Sequence, residues 1–362
     1  MDIEKIQKMF EDMDENVIVL ILSVFTTFIV VVFGIYFMYM YNLKNKECEV
    51  MNSFYPQRNT TISNITTSLP LNNYCIKAAY NCCSLGSYKN DYVGTCILSH
   101  ILKQGVRFLD FEIFSIDDFP VVATSINNNF NEKETYNYVQ FNEVMSIITS
   151  TAFNPQYVNN SGDPLIIHLR FKSNNQKMFN VLLKIFQTYD LFVRNSDLAP
   201  HNPVKPDIKN LGKTSIDKLK GKISLIVDDS LKVCSQCKVF KEYINMRTNS
   251  DQIRLYPYYD IRQATSNTLT EMYNYNTPST NNSVKSGMTI CIPDRDYNPG
   301  NPNLLVTNGV PGKLGIDCNI VAMRYQHVDD NLLIYNNVFD YSRKAFLTKK
   351  EMNTALQSVL KI

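Results

Sequence analysis

The chain has 362 residues, 44% of them hydrophobic and 19% charged, a composition that supports a sizeable core and excludes a disordered or fibrous protein. Thirty-six Lys and Arg stand against 34 Asp and Glu, for a net charge of +2. No dense basic run tracks a phosphate backbone, so no nucleic-acid partner is expected.

Residues 1–16 form a short leader carrying Asp2, Glu4, Glu11, Asp12, Asp14 and Glu15, the wrong charge for the start of a cleaved signal peptide. Residues 17–41 are uncharged and almost wholly apolar. About 25 residues at ~1.5 Å each make roughly 37 Å of helix, more than the ~30 Å hydrocarbon thickness, so a single transmembrane helix is predicted. Lys44 and Lys46 abut its C-terminal end, and the positive-inside rule places the C-terminal bulk in the cytoplasm. Sequons at Asn59, Asn64, Asn159 and Asn281 point the other way only if they are glycosylated. Residues 42–73, rich in Asn, Thr and Ser and without apolar period, read as a flexible tether.

Residues 74–350 alternate strand-like and helix-like segments. Strands are predicted at Val106–Phe114, Pro120–Ala123, Pro164–Arg170, Lys222–Asp228 and Asn319–Tyr325; helical spacing covers Cys96–Gly105, Phe141–Thr151 and Gln176–Asp190. This alternation implies an α/β fold with a parallel sheet, most economically a closed (β/α)8 TIM-type barrel. Residues 263–304, dense in Asn, Thr, Ser and Pro, read as long loops, and 351–362 as a C-terminal tail. Nine Cys without framework spacing do not suggest a disulfide scaffold, and Cys234-x-x-Cys237 lacks the second pair that a zinc site needs.

Reactive groups of such a barrel lie at the C-terminal ends of its strands. Asp110 and Glu112, two apart on one strand, point the same way, and hard oxygen ligands on one face suit Ca²⁺ or Mg²⁺. An ion pair with Arg170 is the alternative role for the two carboxylates. His168 shares a face with Arg170 by the period of two and is the one histidine of four (His100, His168, His201, His327) placed to enter the barrel mouth.

The order of segments resembles phosphoinositide-specific phospholipase C, a family of PLC-like phosphodiesterases built on a TIM barrel. The resemblance runs from about Tyr74 to Lys350 and rests on Val106–Phe114 with Pro120-Val-Val, Leu219-Lys-Gly-Lys-Ile, Ile253-Arg-Leu-Tyr-Pro257, Asn319–Gln326 and Ala345–Lys350. It implies phosphodiester cleavage by two imidazoles and a cation. Both histidine positions are replaced, by Tyr80 and Thr124, neither of which titrates near neutrality. Asn81, Asp110 and Glu112 match three ligands of the family's calcium site, whereas the expected fourth carboxylate is Arg170. Bacterial relatives use an arginine in place of calcium, although on a different strand. Arg254 and Tyr256 match positions that hold a ring phosphate and pack on inositol; the two basic positions after Leu-Lys-Gly-Lys-Ile are Ile226 and Asp228.

The resemblance therefore implies a membrane-anchored barrel that is catalytically degenerate and binds membrane lipid, such as a phosphoinositide head group, or a protein partner. Two alternatives stay open. One is an active phosphoric diester hydrolase that uses Tyr80, His168, Arg170 and a divalent cation; the other is a structural membrane or envelope protein.

Overall fold

The computed structural model describes residues 14–54, 61–202, 205–233, 237–265, 267–268, 271, 275, 287–295, 303–304 and 318–360. Cys234, Asn59 and Asn281 lie outside them. The chain divides into two units, Met1–Val50 and Met51–Ile362.

Helix α1, Glu15–Phe54, is long and apolar enough to cross a membrane, with a mean hydropathy of 2.9 in its most apolar stretch. It continues 13 residues past Tyr41, where a tether was expected. Residues 42–54 carry Lys44, Lys46, Glu47 and Glu49 and no Pro or Gly, so nothing in them stops a helix already nucleated by the apolar run.

In the second unit, eight strands run parallel: β1 (Tyr74–Ala79), β2 (Phe108–Ile116), β5 (Leu165–Phe171), β8 (Ile223–Asp228), β9 (Ile244–Arg247), β10 (Ile253–Pro257), β11 (Met288–Ile292) and β12 (Ile320–Met323). Their hydrogen-bonded order is β10-β11-β12-β1-β2-β5-β8-β9, a nearly closed barrel whose one unpaired junction among the described residues lies between β9 and β10. Four of these strands, β1, β9, β10 and β11, were not anticipated as apolar runs. β11 falls inside the stretch read as loops, where Met288-Thr-Ile-Cys-Ile292 is buried throughout. β3 (Phe119–Val122), expected as a further strand of the parallel series, instead folds back antiparallel on β2 and carries β4 (Val139–Gln140). β6 (Pro200–Asn202) and β7 (Lys205–Lys209) make a separate hairpin, and β13 (Phe346–Thr348) pairs antiparallel with β1.

The helices pack as their spacing requires. α2 (Thr95–Lys103) buries Ile97, Leu98, Ile101 and Leu102; α3 (Phe141–Ala152) buries Phe141, Val144, Met145 and Ile148; α4 (Gln176–Tyr189) buries Met178, Phe179, Leu182, Ile185 and Phe186. Asn175 caps α4 by accepting from Lys177 N at 3.0 Å. Short α5 (Tyr258–Arg262), α6 (Asp330–Ser342) and α7 (Lys349–Leu360) complete the layer.

The second correction to the tether lies at residues 61–73, which pack on the barrel. Ile62, Ile65 and Leu71 are buried. Ile65 N donates to Asp163 Oδ1 at 2.7 Å, Gly162 N to Asn64 Oδ1 at 2.8 Å and Ser63 N to Arg343 O at 2.9 Å. Gly105, at φ +77°, follows α2, and a Cβ there would meet Ile62 Cδ1 at 2.9 Å, so this glycine serves both a left-handed backbone and a close approach. Ile62→Ala and Leu71→Ala should each cost about 2–4 kcal/mol in urea denaturation of the second unit. A flexible tether would lose nothing.

Candidate functional site

In a parallel pair, residues in register share a face, so the pairings decide which side chains meet. Asp110 is in register with His168 and Glu112 with Arg170 across β2 and β5, while Arg170 aligns with Asp228 across β5 and β8. Tyr80 follows β1 on the same side. The turn after β1 puts Asn81 at φ +45°, a left-handed position that Asn tolerates. There, Asn81 N donates to Asp110 Oδ2 at 3.1 Å.

The structure thus assembles six predicted residues, all buried, around one guanidinium. Arg170 Nε donates to Asp110 Oδ1 at 3.0 Å, Nη2 to Asp110 Oδ2 at 3.0 Å and to Asn81 Oδ1 at 2.6 Å, and Nη1 to Glu112 Oε1 at 3.2 Å. Its Cζ lies 4.6 Å from the Tyr80 ring centroid, within cation–π range. On the other side of Asp110, His168 Nδ1 donates to Oδ1 at 2.8 Å, and the imidazole stacks on Phe108 with centroids 5.7 Å apart. His168 Nε2 is buried without a partner among the described residues.

The same geometry tests calcium. Oxygens of all three candidate ligands, Asn81, Asp110 and Glu112, are directed at Arg170, and a guanidinium fills the centre that a cation would need. As arranged, these residues fit a fixed organic cation and not Ca²⁺.

Electrostatics follow from burial and this pairing. Burial works to raise the Asp110 carboxyl, but Arg170 and the His168 hydrogen bond outweigh it and hold it down at about 2. Burial pushes the Tyr80 hydroxyl up, with Arg170 opposing, so Tyr80 stays a neutral phenol. Thr124 is buried beside the site but turned from it: Oγ1 donates to Tyr88 O at 3.0 Å. Neither Tyr80 nor Thr124, at the two positions where the resemblance expects imidazoles, offers a group that exchanges protons near pH 7.

Arg254 and Tyr256 are not in this site. Through β11, β12 and β1, Tyr256 aligns with Cys291, Val321 and Lys77, whereas Leu255 aligns with Ile290, Ile320 and Ile76. The first series faces the helical layer, where Tyr256 packs against the cluster of Tyr258, Ile261, Cys291, Leu304 and Cys318. Arg254, exposed, stacks 4.0 Å from the Tyr275 ring centroid. Asp228 is buried and satisfied by Ser230 and Thr248.

Lys172 was missed. It lies two residues beyond Arg170, so the strand period alone points it the same way. Its Nζ is 3.6 Å from Glu112 Oε1 and donates to Asn127 O. Burial lowers its pKa to about 8 despite Glu112.

Arg170→Leu should cost about 3–5 kcal/mol in urea denaturation at pH 7, because it leaves Asp110 buried without its counter-charge. Since the folded pKa of Asp110 lies below its unfolded value near ~3.9, this stabilisation is complete above that value and is lost as the pH falls toward 2. The wild-type melting temperature should therefore drop through this window, and Asp110→Asn should flatten its share of the drop.

No family model and no curated protein matches the sequence. Solved structures do resemble it. PLC21 from L. pealei superposes with a TM-score of 0.59 at 14% identity, over 82% of this chain and 39% of that one; PLC21 from S. officinalis superposes with a TM-score of 0.60 at 14% identity, over the same shares. The chain spans about two fifths of the length of these two proteins, and with them it shares the fold of a PLC-like barrel.

Proposed function

We propose that the chain is a membrane-anchored PLC-like barrel that has lost the hydrolytic chemistry associated with its fold and acts by binding an anionic lipid surface. The observation that carries this reading is the Arg170 guanidinium, bonded to all three oxygen ligands that a catalytic cation would need. Tyr80 and Thr124 at the two imidazole positions support it, as does the complete burial of His168, which closes the candidate base to a substrate hydroxyl. Loss of general acid–base groups typically costs 10² to 10⁴ in rate for each.

Binding is supported by the end of the barrel at which Glu112 and Arg170 lie. There the β2–β3 hairpin and the following loop present Phe119, Phe130, Tyr136 and Tyr138, all exposed. Asn131 N donates to Lys172 O and Glu134 N to Thr124 O, which fixes this loop at the mouth. Exposed aromatics beside buried cations suit an interfacial contact. With Arg254 and Tyr256 on the outer face, recognition rests on charge and apolar insertion and not on stacking against an inositol ring.

In mixed micelles of detergent and phosphatidylinositol, the full chain should release no more water-soluble inositol phosphate than an Asp110→Ala control, with calcium or with chelator. The second unit, freed of α1, should float with phosphatidylcholine vesicles containing phosphatidylinositol, and Phe119→Ser with Phe130→Ser should weaken that flotation about tenfold. Turnover above the control would overturn the reading, and flotation indifferent to both substitutions would remove the lipid contact.

A further inference from the structure

The junction where the barrel fails to close holds a cavity of about 490 Å³, within the usual size of small-ligand sites. It extends along β9 from Ile244 to Arg247 and reaches Ser250–Gln252 in the connection to β10. Arg247 is in register with Val227, next to Asp228 in sequence, so it lies on the outer face of the sheet, opposite to Arg170. No residue of the Arg170 cluster lines the cavity, so it is separate from that site.

Its charge is one-sided. Lys209, Lys241 and Arg247 line it against a single carboxylate, Asp251. None of the three cations has an ion-pair partner among the described residues. Three like charges around one cavity repel one another, and a multivalent anion removes that repulsion.

The walls are also fixed in advance. Gln252 Nε2 donates to Lys209 O at 2.6 Å, and Asn195 Nδ2 donates to Lys241 O at 3.0 Å, so the backbones bearing both lysines are tied to the cavity wall. Behind them Asn245, buried, accepts from Leu225 N at 2.8 Å and donates to Val193 O at 3.0 Å. A cavity whose amides are spent on holding lysines in place has its charged ends left for a ligand. Guanidinium and ammonium groups together match phosphate oxygens.

We propose that this cavity binds a multiply charged phosphate group through Lys209, Lys241 and Arg247. The phosphate belongs either to a free soluble compound or to a lipid head group. The site is independent of the chemistry at Arg170.

The test uses the full chain in detergent micelles, titrated calorimetrically with inorganic tripolyphosphate. Stoichiometric binding is expected. The Lys241→Gln/Arg247→Gln variant should weaken it at least about tenfold with an unchanged melting curve, and Lys209→Gln should weaken it separately. A control pair on exposed positions elsewhere, Lys184→Gln/Lys218→Gln, should keep wild-type affinity. Repeating the titration in micelles doped with phosphatidylinositol 4-phosphate separates the sources: competition assigns a lipid head group, and unaltered affinity assigns a soluble phosphate. Absence of binding, affinity indifferent to the cavity substitutions, or equal weakening by the control pair would each overturn the proposal.

Discussion

One buried guanidinium organises the interior of this barrel. Arg170 on β5 reaches Asp110 and Glu112 on β2 and Asn81 in the turn after β1, so three consecutive parts of the sheet are tied by charge-assisted hydrogen bonds at one level. A buried pair of this kind is costly to desolvate and costly to break. The surrounding shell offsets that cost with hydrogen bonds: Ser125 N donates to Glu112 Oε2 at 3.1 Å, Asn81 N to Asp110, and His168 to the remaining side of Asp110. The chemistry available at the mouth is limited by the same arrangement. Oxygens that could hold a divalent cation are already committed, and the imidazole nearest to them is held inside the wall.

Much of this was legible in the sequence. The period of two on a strand placed Asp110 with Glu112, and His168 with Arg170, on single faces. Apolar spacing fixed α2, α3 and α4. The ion pair between Arg170 and the two carboxylates was foreseeable because a cationic side chain stood where the resemblance implied a carboxylate.

What the sequence hid was register over distance. Arg254 and Tyr256 look placed for a head group when the motif is read alone. Their facing is decided three strands away, by Cys291 against Val321 and Val321 against Lys77, and no local pattern carries that information. Ile62, Ile65 and Leu71 are irregularly spaced among polar residues, so their burial shows only once α2, Gly105 and the Asn160–Asp163 turn are in place. β11 is five residues within an Asn-rich stretch, too short to stand out by period. The continuation of α1 beyond Tyr41 reflects the absence of a stop signal and not a positive signal for helix.

In this reading the cation of the barrel mouth is the Arg170 guanidinium of the chain itself. Calorimetric titration of the second unit with Ca²⁺, wild type beside Arg170→Asp, tests it most directly. Replacing the guanidinium by a carboxylate leaves Asn81, Asp110, Glu112 and the new Asp as hard oxygen ligands at one level. No calcium heat is expected for the wild type and saturable binding for Arg170→Asp. Saturable binding to the wild type that disappears with Asp110→Ala would contradict it.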